Sequence, residues 1–153
     1  MIDTPQIIQT TELLTAFIHV TVSWEGIREV MGPGIAELLA EVSAQGIAPT
    51  GPVFTHHRRR PTDTFDFEIS IPVSAPITAT GRVQPGTWPA MKVARTSYRG
   101  PYEGLGEAWP EFMEWIEANG HTQAPDLYEC YVTGPESNPD PSTWRTELTR
   151  PLL

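Results

Sequence analysis

Basic residues are scarce in this chain. Ten Lys and Arg stand against 19 Asp and Glu, a formal net charge of −9 over 153 residues. A nucleic-acid surface needs a basic face to neutralise phosphates, so this balance argues against direct nucleic-acid binding. Cysteine is rarer still. The lone Cys130 can form no internal disulfide; it reads as a small buried apolar side chain, and a cytoplasmic setting fits that usage. No apolar run approaches the ~20 residues that span a bilayer, and the N-terminus lacks the basic-then-apolar pattern of a signal peptide, so no membrane partner is expected. There is no Cys cluster and no HExxH pattern. His56 and His57 adjoin on one strand and so point to opposite faces, which is poor geometry for one metal, and no metal is expected. No Ser lies in a GxSxG elbow, and the glycines from Gly100 to Gly106 follow neither dinucleotide nor phosphate-loop spacing, so no cofactor is expected either. Disorder is also excluded, because 39% hydrophobic and 19% charged residues are ordinary for one domain that buries its own core.

What the chain does contain is punctuation, rings and a repeat. Sixteen prolines and twelve glycines imply many sharp turns. Five Trp, five Phe and four Tyr are more aromatic surface than two short helices need. An offset of 74 positions lays Ala16-Phe17 over Ala90-Met91, Trp24 over Tyr98, Gly26 over Gly100, Leu38-Leu39 over Phe112-Met113 and Gly46 over Gly120. With turns of different length allowed for, Phe67 to Val73 lies over Thr146 to Leu152, and each Glu stands four residues before its Pro. Two copies of one supersecondary unit are implied, and the join between them is the natural place for a site.

Periodicity supplies the elements. Leu14 to Trp24 alternates as a strand, and Gly26 to Gln45 reads as a helix interrupted at Gly32-Pro33-Gly34. Pro52 to Arg58 and the alternating Phe65, Phe67, Ile69, Ile71 are two further strands, joined by the turn Arg59 to Asp63. Arg58-Arg59-Arg60 is a solvated basic cluster. Ala75 to Gln84 connects the halves. The second copy has a strand over Thr87 to Tyr98 and a helix over Pro101 to Asn119, with Pro110 expected to kink or split it. Strands at Leu127 to Thr133 and Thr143 to Arg150 complete it, while residues 1–11 read as polar and loosely attached. The expected fold class is α+β: duplicated βαββ modules forming one curved antiparallel sheet with two main helices and pseudo-two-fold symmetry. Residues 1–153 form a single domain, with half one over about 12–74 and half two over about 80–152.

Glu68 and Glu147 are the matched acids. The large apolar residues of their strands occupy the other parity, so both carboxylates point away from the helix of their own half. Two such acids near a shared cleft would be desolvated, would have raised pKa values and would need a partner. That partner is a ligand cation, or a water activated by general-base action. The alternative is a pair of solvated strand residues. Trp24 and Tyr98 are matched at the strand-to-helix corners. Tyr131 stands over Arg58, or over His57 with a slip of one, and Trp109 begins the second part of the helix. Aromatic walls around one carboxylate trap a flat lipophilic cation; the plain reading of the same rings is core.

Several of these residues resemble a known family. Arg99-Gly100-Pro101-Tyr102-Glu103 after a strand, Gly81-Arg82-Val83, Asp66-Phe67-Glu68 running to Pro72-Val73, and Trp144-Arg145-Thr146-Glu147-Leu148 together resemble the GyrI-like superfamily over about residues 5–152. Its members are effector-binding domains of AraC-type and MerR-type regulators, or free-standing proteins. The resemblance implies a central cleft in which a buried glutamate amid aromatics holds lipophilic cations, and Glu147 matches that position with Glu68 its mirror. It also implies two other activities known among free-standing relatives, hydrolysis of cyclopropanoid genotoxins and gyrase inhibition. The chain departs in half one, where Ser23-Trp24-Glu25-Gly26 stands in place of the Gly-Pro-Tyr-Glu motif, and it contains no helix-turn-helix.

The resulting expectation is a free-standing domain that captures a hydrophobic, aromatic or cationic molecule. Glu147 is the anchor, with Glu68, Tyr131, Tyr98, Trp109, Trp24 and His57 as further ligand contacts. A hydrolase of strained electrophiles with Glu147 or Glu68 as base is the alternative, and a protein-interaction module, with a regulator or gyrase as partner, the second. Monomer and homodimer both remain open.

Overall fold

Alternation of apolar and polar side chains in strands, and a three-to-four-residue apolar spacing in helices, build an α+β fold. In a computed structural model, the described residues form eight strands, antiparallel in every described pairing, and two main helices. The structure describes residues 2–58, 63–135 and 137–153, with the side chains of Trp24 and Arg28 outside that description. The predicted turn Arg59 to Asp63, but for Asp63 itself, and most of the arginine cluster lie outside the described residues. The chain divides into two compact units, residues 11–90 and residues 1–10 with 91–153.

In the unit of residues 11–90, strand β2 (Leu13–Ser23) leads through a 3-10 turn into helix α1 (Ile27–Ala44), followed by β3 (Phe54–His57), β4 (Thr64–Pro72) and β5 (Gln84–Trp88). Pairing runs β5-β2-β4-β3. The register places Ala16 opposite Ile71, Ile18 opposite Ile69 and Val20 opposite Phe67. These pairs, with Leu38 and Val42 from α1, make one core. Helix α1 runs unbroken through Pro33, contrary to the predicted interruption. Gly34 explains the close approach: a Cβ there would lie 2.6 Å from Ile69 Cδ1, so the helix beds on the sheet where the break was expected.

In the other unit, β1 (Gln6–Gln9), β6 (Lys92–Arg99), helix α2 (Leu105–Ala118), β7 (Leu127–Thr133) and β8 (Arg145–Pro151) pair in the order β1-β6-β8-β7. Its core joins Ala94, Tyr98, Leu127 and Leu148 to Ala108, Trp109, Phe112 and Ile116 of α2. Pro110 neither splits nor ends α2. A proline in a helix interior costs ~3 kcal/mol, and burial of Trp109 and Phe112 on either side offsets that. Both helices end alike. Ile47 donates to Val42 O and Gly46 to Ser43 O, as His121 does to Ile116 O and Gly120 to Glu117 O. Gly46 and Gly120 have φ of 70° and 79°, the left-handed cap that glycine favours.

Two expectations fail at the leading strands. The described part of residues 1–11 is not loose: Gln6 to Gln9 pair with Arg95 to Lys92, and Ile7 packs on the core. The predicted strand over Thr87 to Tyr98 is two strands, broken at Pro89 because proline has no ladder donor. Its first part pairs with β2 and its second with β1 and β8.

Candidate functional site

Strand β7 carries the residue that sequence reasoning passed over. Leu127, Glu129 and Tyr131 share one parity, and Leu127 is core. Glu129 opposes Leu148 in the β7–β8 register, and Leu148 packs with α2. Glu129 therefore points to the helix-covered face of its sheet. There Trp109 Nε1 donates to Glu129 Oε2 at 2.6 Å and Tyr131 Oη donates to Oε1 at 3.0 Å. The half-buried carboxylate thus has a neutral donor on each oxygen and, among the described residues, no cationic partner.

More rings gather beside Tyr131. Tyr102, in a 3-10 turn before α2, meets Tyr131 edge-on at 5.8 Å between centroids and Trp144 at 5.0 Å. Trp144 is held by Nε1 donating to Asn138 O at 2.8 Å, and its carbonyl accepts from Gly100 N. Asp140 closes the loop before it by accepting from Ser142 N and Oγ. Tyr98 is buried and donates to Pro101 O at 2.8 Å. Its hydroxyl fits only because position 104 is glycine, where a Cβ would lie 1.9 Å away. Burial, then the Glu103 and Glu107 carboxylates, push the Tyr98 phenol up.

Trp109 and Tyr131 are thus brought together, but around Glu129. Glu147 pairs with Cys130 and Ser97 across the sheet and lies on the opposite face from Leu148. It faces Arg95 Nε at 3.4 Å and is 27% exposed. On that face Cys130 is pushed up to about 12 by burial and the Glu147 carboxylate, with Arg95 opposing.

In the other unit, Glu68 lies 3.5 Å from His56 Nδ1 and 3.3 Å from Arg58. Burial pushes its carboxyl up, but hydrogen bonds and charges from His56 and Arg58 outweigh that and hold it below the ordinary range, rather than raised as expected. His57 is buried, stacks on Phe67 at 5.1 Å and lies 3.1 Å from Thr55 Oγ1. The Trp24 side chain lies outside the described residues. Glu68 opposes His56 as Glu147 opposes Cys130, so His57 corresponds to Tyr131, Phe67 to Thr146 and Thr55 to Glu129. The copies differ where the carboxylate sits, so a search for matched acids could not find it. The available signal was an acid that shares its strand parity with Leu127 and Tyr131. Among the described residues no group of three His, Cys, Asp or Glu side chains could hold a metal ion, and no helix is long and apolar enough to cross a membrane.

Its α+β fold places the chain in a class of domains that bind small molecules. The chain belongs to the GyrI-like small molecule binding domain family, whose model matches residues 3–153. No curated protein matches it. Among solved structures, the EcmrR C-terminal domain has a TM-score of 0.86 at 22% identity, covering 98% of this chain and 97% of that one. In the EcmrR–DNA complex, the chain covers 57% of EcmrR's length, with 97% of this chain matched at 21% identity and a TM-score of 0.86. SAV2435 bound to tetraphenylphosphonium has a TM-score of 0.64 at 12% identity, covering 99% and 94%. A Listeria innocua protein described as a hydrolase has a TM-score of 0.69 at 14% identity, covering 97% and 91%.

Proposed function

We propose that the chain captures aromatic, lipophilic cations at Glu129, with Tyr131, Trp109, Tyr102 and Trp144 as the walls. One observation carries the reading: a half-buried carboxylate is bonded to two aromatic donors and, among the described residues, to no cation. Trp and Tyr hydrogen bonds satisfy the oxygens but leave the charge uncompensated, and a ligand cation resting on the rings gains both the carboxylate and the π faces. That the similarly folded SAV2435 is bound to tetraphenylphosphonium supports the same ligand class here. A role in sensing or sequestering such compounds follows from capture without turnover. Glu147 and Glu68 serve elsewhere on this reading, in ion pairs with Arg95 and Arg58.

The test is a melting-temperature titration with tetraphenylphosphonium and with triphenylphosphine oxide, a neutral molecule of similar rings. A ligand at 100 times its Kd adds about 2.7 kcal/mol of stability. The cation should raise the melting temperature and the neutral molecule should raise it less. Equal shifts remove the carboxylate from the reading, and no shift with either removes the site.

A further inference from the structure

Thr146 is fully buried, yet its hydroxyl finds no hydrogen-bond partner among the described residues. Buried hydroxyls are nearly always satisfied, so an orphan asks for an explanation. Its position suggests one. Thr146 stands opposite Tyr131 on one side and Tyr98 on the other. It shares the helix-covered face with Leu148, whose partner across the ladder is Glu129, so Thr146 is one diagonal step from the carboxylate. Tyr131 beside it is half-exposed whereas Thr146 is not exposed at all, which sets the hydroxyl inward of that ring.

The other unit shows what this position looks like without a site. Phe67 occupies it, fully buried and stacked on His57. Where one copy fills the space with a ring, the other has a smaller side chain with an unsatisfied hydroxyl beside a carboxylate.

We propose that the Thr146 hydroxyl is a ligand-binding group, donating a hydrogen bond to an oxygen acceptor on the cation held at Glu129. Any N–H on the ligand is drawn to the carboxylate, the stronger acceptor, which leaves the hydroxyl its donor role. The favoured class is therefore an aromatic cation bearing a carbonyl, ester or ether oxygen. This inference rests on the Glu129 reading.

A matched pair of probes tests it. Benzoylcholine carries a ring, an ester and a quaternary ammonium; 4-phenylbutyltrimethylammonium has the same length without the oxygens. Calorimetric Kd values are measured for wild type, Thr146→Val and Thr146→Ser. Wild type should prefer benzoylcholine, and Thr146→Val should weaken that probe by about fivefold while moving the other by less than about twofold. Thr146→Ser keeps the hydroxyl and should keep the preference. The unliganded Val variant should melt no lower than wild type, since it loses an orphan rather than a bond. Equal changes for both probes, or none, overturn the role of Thr146 and leave the Glu129 reading standing. A wild type that binds neither probe refutes both.

Discussion

Replacing Glu129 by Gln removes one charge and keeps the shape of the side chain. The amide oxygen still accepts from Trp109 Nε1, and the amide N–H finds Tyr131 Oη as acceptor, so the contacts at 2.6 and 3.0 Å survive with roles exchanged at the tyrosine. The fold should barely notice, with a melting temperature within about 3 °C of wild type. Binding should notice. A bulky cation brings its centre no nearer than about 5 Å to the carboxylate, worth roughly 3 kcal/mol at an effective dielectric near 20. Glu129 is only half-buried, and solvent and salt halve that figure to ~1.5 kcal/mol, about tenfold in Kd. Calorimetric titration with tetraphenylphosphonium reads the change directly. Raising the salt concentration should weaken wild type more than Glu129→Gln, because only wild type has the charge pair to screen. Glu147→Gln is the control and should stay within about twofold, since Glu147 lies on the other face against Arg95. Unchanged affinity in Glu129→Gln, or a larger loss in Glu147→Gln, would refute the assignment.

Gly104→Ala should lower the melting temperature by several degrees, because the new Cβ would sit 1.9 Å from the Tyr98 hydroxyl. Gly106→Ala, with nothing within 4 Å, should be neutral or stabilising by up to about 1 kcal/mol; equal effects at the two sites would count against the Tyr98 packing. The Glu68 carboxyl is held below its ordinary 4.5, so its contribution is present above that pH and lost as pH falls through the folded value. The melting-temperature advantage of wild type over Glu68→Gln should therefore shrink below pH 4.5, and an advantage that grows there would reverse the sign. Cys130, with its thiol pushed up to about 12 by burial and Glu147, should resist disulfide-exchange labelling at pH 8 until the chain unfolds. Immediate labelling of the native protein would show that the face is open.

The repeat and the alternation were legible because both rest on periodicity. Phe65, Phe67, Ile69 and Ile71 announced β4, and Leu105, Trp109, Phe112 and Ile116 announced the stripe of α2, the last three of them buried. The first helix was misread at Pro33 because local propensity was weighed without Ile69, the tertiary partner that Gly34 admits. At the candidate site the rings were legible and the acid was not. Trp109 and Tyr131 stood out by type and place, but the search for symmetry favoured the acids present in both copies. Glu129 has Thr55 as its counterpart, and asymmetry between copies is what marks it. Tyr102 and Trp144 were visible within quoted motifs, yet their meeting depends on the Asp140 turn and the Gly100 tie to Trp144, contacts that no spacing reveals.

The leading strands have a consequence for how this chain can be taken apart. Each unit takes its edge strand from chain that adjoins the other unit in sequence: β1, which runs on into β2, closes the ladder of β6, and β5, which runs on into β6, closes that of β2. The half that carries Glu129 is consequently not a contiguous piece of sequence. A fragment starting at Met91 would present the outer edge of β6 bare, and a bare edge recruits any strand offered to it. A peptide of residues 1–10 supplied separately is the strand it is built to recruit, which makes complementation in trans, or exchange of that strand between two chains, the natural behaviour of a divided or partly opened molecule.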